Sequence, residues 1–250
     1  MNGRIHRIIT FLCGLLCLIT SLEAAEPWRD VLSAMPLATN NVAEINARNF
    51  APLLLGSFQS NGVVKAIILM PGATDEFYFF KQAPVPLASA NKTLGDAVMA
   101  LEKQTRIRAT FRPPFLLLHT AQDPLEPLGE VVFQEGADIL KQEMFLPSFV
   151  WNDRDWVYVS PLLRRKLSAA ISPSVEDRVM FHFYRHSMAG YGLTGWEAVE
   201  AVSMAGKTTF VVEKGGLFRK TRVTFRVDRR FPNPLPEGRR PGTSATVPPQ

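Results

Sequence analysis

The N-terminal segment constrains this chain most, because it carries the only two cysteines in the sequence, Cys13 and Cys17. It has a basic head with Arg4 and Arg7, an apolar run from Ile8 to Ile19, and a small-residue close at Ala24 and Ala25. That is the layout of a secretory signal, and the run is shorter than the roughly 20 residues that span a bilayer. Cleavage after residue 25 is expected to release a periplasmic or secreted protein with no thiol and no transmembrane span. An uncleaved anchor is the alternative, since Glu23 suits the cleavage motif poorly. Lipidation is not expected, because Leu15 and Leu16, not small residues, precede Cys17. Thiolate nucleophiles, cysteine-held metals and disulfides are then excluded from the mature chain, and a hydrophobic core must hold the fold. With 250 residues, 46% of them hydrophobic, the chain can build one medium domain or two small ones.

Charge is distributed unevenly. Loss of residues 1–25 takes two basic and one acidic residue from the 28 and 23 of the whole chain. From Glu213 to the C-terminus there are nine basic residues against three acidic, so the excess is local and is no signature of specific nucleic-acid binding.

The pattern of apolar residues predicts an α+β fold of small mixed sheets with packed helices, a C-terminal β-hairpin and a Pro-rich tail. Residues 26–50 read as short helical pieces, with Asn41 and Glu44 spaced as a capping box. VVKAIILM (63–70) and FYFF (77–80) read as strands. Thr93 and Asp96 open a helix whose apolar face is Leu94, Ala97, Val98 and Leu101, and IRATF and FLLLH flank Pro113–Pro114 as strands. EVVFQ (130–134) reads as a strand, GADILKQEM as a helix, and FVWNDRDWVYVS as a hairpin turning at Asn152 to Asp155. Ser160–Pro161 is expected to open the helix PLLRRKLSAA, Ser174 with Asp177 a helix through VMFHFYRH, and Thr194 with Glu197 a helix ended by Gly206. TTFVVE and LFRKTRVTFRV form the hairpin, and the six prolines in the 20 residues after Arg230 mark a tail unable to fold. The expected division is 1–25 signal, 26–160 first domain, 161–230 helical and hairpin subdomain, and 231–250 tail.

The strand FYFF, then TLGDAVMALEKQT with Leu94, Ala97, Val98, Leu101, Gln104 and Thr105, then a strand from Ile107, resembles the short N-terminal periplasmic domain of secretins and TonB-dependent receptors. EVVFQ, ADILKQEM and FVWNDRDWVYVSP resemble that domain's second unit of strand, short helix and aromatic hairpin. The resemblance covers residues 77–161. Arg106 stands where the family has glycine after the QT pair. What the resemblance implies is an α+β periplasmic docking module without catalysis, and no cofactor is expected.

Three constellations could carry chemistry. His182 and His186, four apart, share a face on either a helix or a strand and could ligate a metal, but Phe183 occupies the place of the zincin glutamate. On a helix they continue the stripe Val175, Val179, which reads as inward-looking. Gly190, Gly192 and Gly195 match G-x-G-x-x-G, with Gly206 and Glu213 at dinucleotide spacing, although HSMA before Gly190 does not read as a buried strand. Lys220, Arg222, Arg226 and Arg230 form a basic ladder on one face of the last strand, opposite Val223, Phe225 and Val227, with Arg219 and Arg229 on that other face. Asp75–Glu76 reads as a turn, and His119 has no partner that the sequence defines. The reading that combines these is an exported cell-envelope binding or assembly module, whose partner is an envelope protein or an anionic surface or polymer. The alternatives are a metal-dependent hydrolase built on His182 and His186 and a nucleotide-binding protein built on the glycine turn.

Overall fold

The computed structural model describes residues 27–37, 44–46, 63–70, 85–87, 93–120, 125–183, 185–216 and 221–228. The expected signal, Asn41, Asp75–Glu76, the FYFF strand and the Pro-rich tail lie outside these residues. Within them the fold is α+β, as expected, with five α-helices and three sheets.

The first half supplies one side of a five-stranded sheet. Helix α1 (Pro27–Ser33) precedes β1 (Glu44–Ile45), which pairs antiparallel with β3 (Val85–Pro86). Glu44 therefore sits in a strand rather than in the first turn of a helix. Strand β2 (Ala66–Leu69) is buried throughout. Helix α2 (Leu94–Gln104) starts at a complete capping box: the Thr93 hydroxyl accepts from the Asp96 N–H at 3.1 Å, and the Asp96 carboxylate accepts from the Thr93 N–H at 3.0 Å. Its Leu94, Ala97, Val98 and Leu101 are buried. Strands β4 (Ile107–Arg112) and β5 (Phe115–Thr120) form a hairpin around Pro113–Pro114.

The second half departs from expectation in five places, most of them where strand pairing overrides local turn chemistry. Strand β6 (Leu128–Val131) begins two residues early, and helix α3 (Gln134–Gln142) follows it. The expected aromatic hairpin is instead one strand, β7 (Met144–Asp155), running straight into helix α4 (Trp156–Lys166). Asp155 accepts from the Tyr158 N–H at 3.0 Å and caps α4, so Ser160 and Pro161 lie inside the helix. Ala169 and Ala170 belong to β8 (Ala169–Pro173) rather than to a helix. Ser174 and Asp177 do bond as a cap, but only a turn and the 3₁₀ segment η1 (Met180–Phe183) follow, and His186 lies in strand β9 (Arg185–Thr194).

Helix α5 (Gly195–Gly206) starts at the expected capping box of Thr194 and Glu197, and Lys65 Nζ reaches the Glu197 carboxylate at 2.8 Å and 3.1 Å. Strands β10 (Thr208–Lys214) and β11 (Thr221–Val227) are the last described elements and form the expected antiparallel pair. The five-stranded sheet has the order β4-β5-β2-β9-β7 and the four-stranded sheet β6-β10-β11-β8. Both sheets combine strands from either side of residue 160, so the domain boundary expected there does not separate them.

Helix α5 lies between the sheets, against β2, β7 and β9 on one side and β6 and β10 on the other. Its buried residues include Ala198, Val199, Ala201, Val202, Met204 and Ala205, while Glu197 and Glu200 keep one edge of this largely interior helix polar. An aromatic layer extends this core: Trp156 meets Phe181, Phe225 and His186 at centroid distances of 4.9, 5.0 and 6.1 Å, and Trp196 meets Phe210 at 5.5 Å. A Cβ on Gly206 would stand 2.6 Å from His186 Nε2, so the helix end must be glycine for reasons of space. The left-handed C-cap falls one residue later, on Lys207 with φ 49°.

Two outcomes follow from this packing. Leu101→Ala is expected to lower unfolding free energy in denaturant titrations by about 2 to 5 kcal/mol, as for truncation of a fully buried leucine. Gly206→Ala would gain up to about 1 kcal/mol on helix propensity alone, yet it is expected to destabilise, and the loss should shrink or reverse in a His186→Ala background. Additive effects of the two changes would show that ring and glycine do not press on each other.

Candidate functional site

Of the expected basic ladder, Arg222 and Arg226 fall among the described residues. Along β11, Thr221, Val223 and Phe225 are buried, while Arg222 and Arg226 are exposed. The register with β10 pairs Val223 with Val212 and Phe225 with Phe210 on the inner face. Arg222 pairs with Glu213 and Arg226 with Thr209 on the outer face, which also carries Thr224 and, across β8, Ala170 and Ser172. Glu213 lies 3.7 Å from Arg222 and accepts from the Thr224 hydroxyl at 3.3 Å. That pairing places Glu213 on an open sheet face and offsets part of the Arg222 charge. Arg226 makes no hydrogen bond or ion pair among the described residues. Lys220, Arg230, Arg219 and Arg229 lie outside those residues.

The glycine series serves packing and strand geometry. HSMA is in fact a buried strand segment, since β9 is covered from His186 to Gly190. The strand runs antiparallel to both β2 and β7, however, and α5 leads to β10 in the other sheet. A dinucleotide fingerprint needs its first glycine at the end of a parallel strand in a β-α-β unit, where the helix N-terminus faces the pyrophosphate. Here Gly190 lies mid-strand, and a Cβ on it would stand 2.7 Å from the Phe149 ring. Gly192 has φ 59°, a left-handed conformation that glycine adopts without strain.

His182 and His186 fall on different elements, η1 and β9. The stripe expected to lead inward to them does not: Val175 and Val179 are 91% and 71% exposed. His186 is fully buried, its Nδ1 lies 3.2 Å from the Arg154 carbonyl oxygen, and its Nε2 has no hydrogen-bond partner among the described residues. Donation from Nδ1–H to that carbonyl leaves Nε2 as the bare acceptor of a neutral ring. Burial pulls the pKa from 6.5 down to about 4, against the smaller opposing effects of the Arg154 carbonyl and the Asp155 carboxylate. Among the described residues, no three His, Cys, Asp or Glu side chains are grouped to hold a metal ion. His119 is held by Thr110 Oγ1 at Nε2 and by the Thr120 carbonyl at Nδ1, each at 2.8 Å, which accounts for both ring nitrogens.

The polar residues expected to form a hairpin turn build a groove instead. The β7–β9 register shifts between Trp151 and Arg154, and Asp153 takes a left-handed φ of 53° while its N–H donates to Ser187 Oγ at 3.0 Å. Such a bulge re-aims the side chains that follow it. Asp153, Arg154, Asp155, Val157, Tyr158 and Arg185 line an open surface groove of about 400 Å³. The Arg154 guanidinium lies 4.6 Å from the Tyr158 ring centre. Arg185 donates to the Asp153 carbonyl at 3.2 Å and approaches the Asp155 carboxylate to 3.8 Å. Sequence reasoning missed this groove because Asn152 to Asp155 reads equally as a turn. The distinguishing signal was Trp156, Val159 and Leu163, buried at helical spacing behind a capping aspartate.

No protein-family model, no curated protein and no solved structure matches this chain.

Proposed function

We propose that this chain is an exported cell-envelope binding module that docks on anionic headgroups or polymers through the outer face of the four-stranded sheet. Arg222 and Arg226, continued in sequence by Lys220 and Arg230, supply the cations. The observation that carries the reading is the alternation of β11, which holds Phe225 and Val223 in the core and leaves the Arg226 guanidinium on an open face without a protein partner among the described residues. Arg222 and Arg226, four residues apart on the strand, are separated by about 13 Å, with Thr224 and Ser172 between them and Thr209 opposite Arg226. Export rests on the signal-like layout of residues 1–25. No helix among the described residues is long and apolar enough to cross a membrane.

The test compares the mature chain with the Arg222→Gln/Arg226→Gln variant on phosphatidylglycerol vesicles in sedimentation assays. An exposed guanidinium near an anionic surface contributes about 1 kcal/mol, or about fivefold in partitioning. Arg226→Gln is expected to produce most of the loss, because Glu213 already offsets Arg222, and added salt should weaken the parent protein similarly. Thermal midpoints should stay nearly unchanged, since neither side chain enters the core. Equal adsorption of parent and variant at low salt would reduce the face to an ordinary solvated sheet surface. N-terminal sequencing of exported material should begin near residue 26, and recovery of an intact Met1 would defeat the export reading.

A further inference from the structure

We infer that His186 is an acid-sensitive latch that holds the β7 bulge, and with it the Arg154–Arg185 groove, in its present shape. The inference stands on three contacts. Nδ1 reaches the Arg154 carbonyl inside the irregular part of the β7–β9 ladder, where the register shift leaves fewer regular bonds to break. Nε2 is fully buried without a hydrogen-bond partner among the described residues, and the residue it faces, Gly206, offers no side-chain acceptor. The Trp156 ring, 6.1 Å away, closes the side toward the aromatic layer.

A proton on Nε2 would create a charged donor facing the Gly206 backbone in a site without water access. Leaving such a group unpaired costs more than an unmade neutral hydrogen bond. Of the charges around it, the Asp155 carboxylate on β7 favours protonation, and burial opposes it more strongly. Arg154 contributes its carbonyl from the same strand, Arg185 precedes on β9, and Lys207 follows Gly206 on α5, itself held near pKa 8 by burial. The cheapest relief is local. If the bulge lifts from His186, the ring reaches water, and Asp153, Arg154 and Asp155 move with it, which takes the groove apart.

The direction of the pH effect follows from linkage. In the latched state the ring stays neutral down to about pH 4, whereas in an opened state it titrates near 6.5. Opening therefore takes up a proton, is favoured as pH falls from 6.5 to about 4, and gains nothing further below that. The full effect is on the order of a hundredfold in the opening equilibrium.

Hydrogen exchange on the intact chain, corrected for intrinsic rates, tests this between pH 7 and pH 4. Protection at residues 152–158 and 185–187 is expected to fall on the order of a hundredfold, while β2 and β5 stay protected. His186→Phe, which keeps a ring but cannot titrate, is expected to remove the fall. Imidazole NMR of the parent protein provides a measure that needs no variant: His186 should titrate together with the amides of 152–158. Uniform loss of protection across both sheets, persistence of the local fall in His186→Phe, or a His186 titration without response in the bulge would each overturn the latch.

Discussion

Strand β9 has to satisfy hydrogen bonds on both edges and fill space on both faces, and most of the architecture follows from that requirement. β2 and β7 take its edges, and α5, which begins where β9 ends, returns over one face. The return is close because the residues at the crossing are small: the Phe149 ring lies on Gly190 and the His186 ring on Gly206. A buried backbone group that lost its partner would cost about 1 to 3 kcal/mol. Displacing β7 or β2 along its length would expose several such groups at once, so only the irregular end of the ladder can yield alone. The same crowding explains why a glycine series with nucleotide-like spacing serves as clearance for rings.

The parts of the fold that were legible in the sequence are those decided by residues a few positions apart. Thr93 with Asp96 and Thr194 with Glu197 form the caps their spacing implies, and the alternation of Val223 and Phe225 with Arg222 and Arg226 fixes the β11 register. Ser174 with Asp177 shows the limit of such reasoning. The cap bonds form, but Asp177 is also committed to the Val227 N–H, and the segment ends as a turn. What was illegible depends on partners far away in sequence. Asn152 to Asp155 can turn a hairpin or bulge a strand with equal local chemistry, and the presence of Ser187 and His186 across the ladder selects the bulge. Of the candidate site, the alternation that puts Arg222 and Arg226 on one face was therefore readable and the groove was not.

The two polar surfaces differ in how far their charges are already committed. In the groove, Arg185 is drawn to Asp155 and the Asp153 carbonyl, and Arg154 lies over Tyr158, so the guanidiniums are held in fixed orientations within a site of balanced formal charge. On the sheet face, Arg226 has no hydrogen bond or ion pair among the described residues, and Thr209 lies opposite it on β10. Fixed, balanced charges favour discrimination by shape, whereas an exposed cation on a sheet face favours broad attraction to anions that salt can weaken. The second property suits a module that works against an extended surface.

The order of elements along the chain makes the two sheets a single mechanical unit. From β6 to β10 the chain changes sheet at every connection, through α3, α4, η1 and α5 in turn. Pulling either sheet away would have to unthread these crossings and expose the aromatic layer of Trp156, Phe210 and Phe225 between them. Burial of rings of this size contributes several kcal/mol in total, so separation of the sheets and loss of the core are the same event. Local opening is confined to places where a crossing meets an irregular ladder. The junction of β7 with α4 is such a place, because the register shift, the left-handed Asp153 and the capping Asp155 fall within three residues of one another. A fold interleaved in this way can respond to acid at one groove while both sheets stay intact.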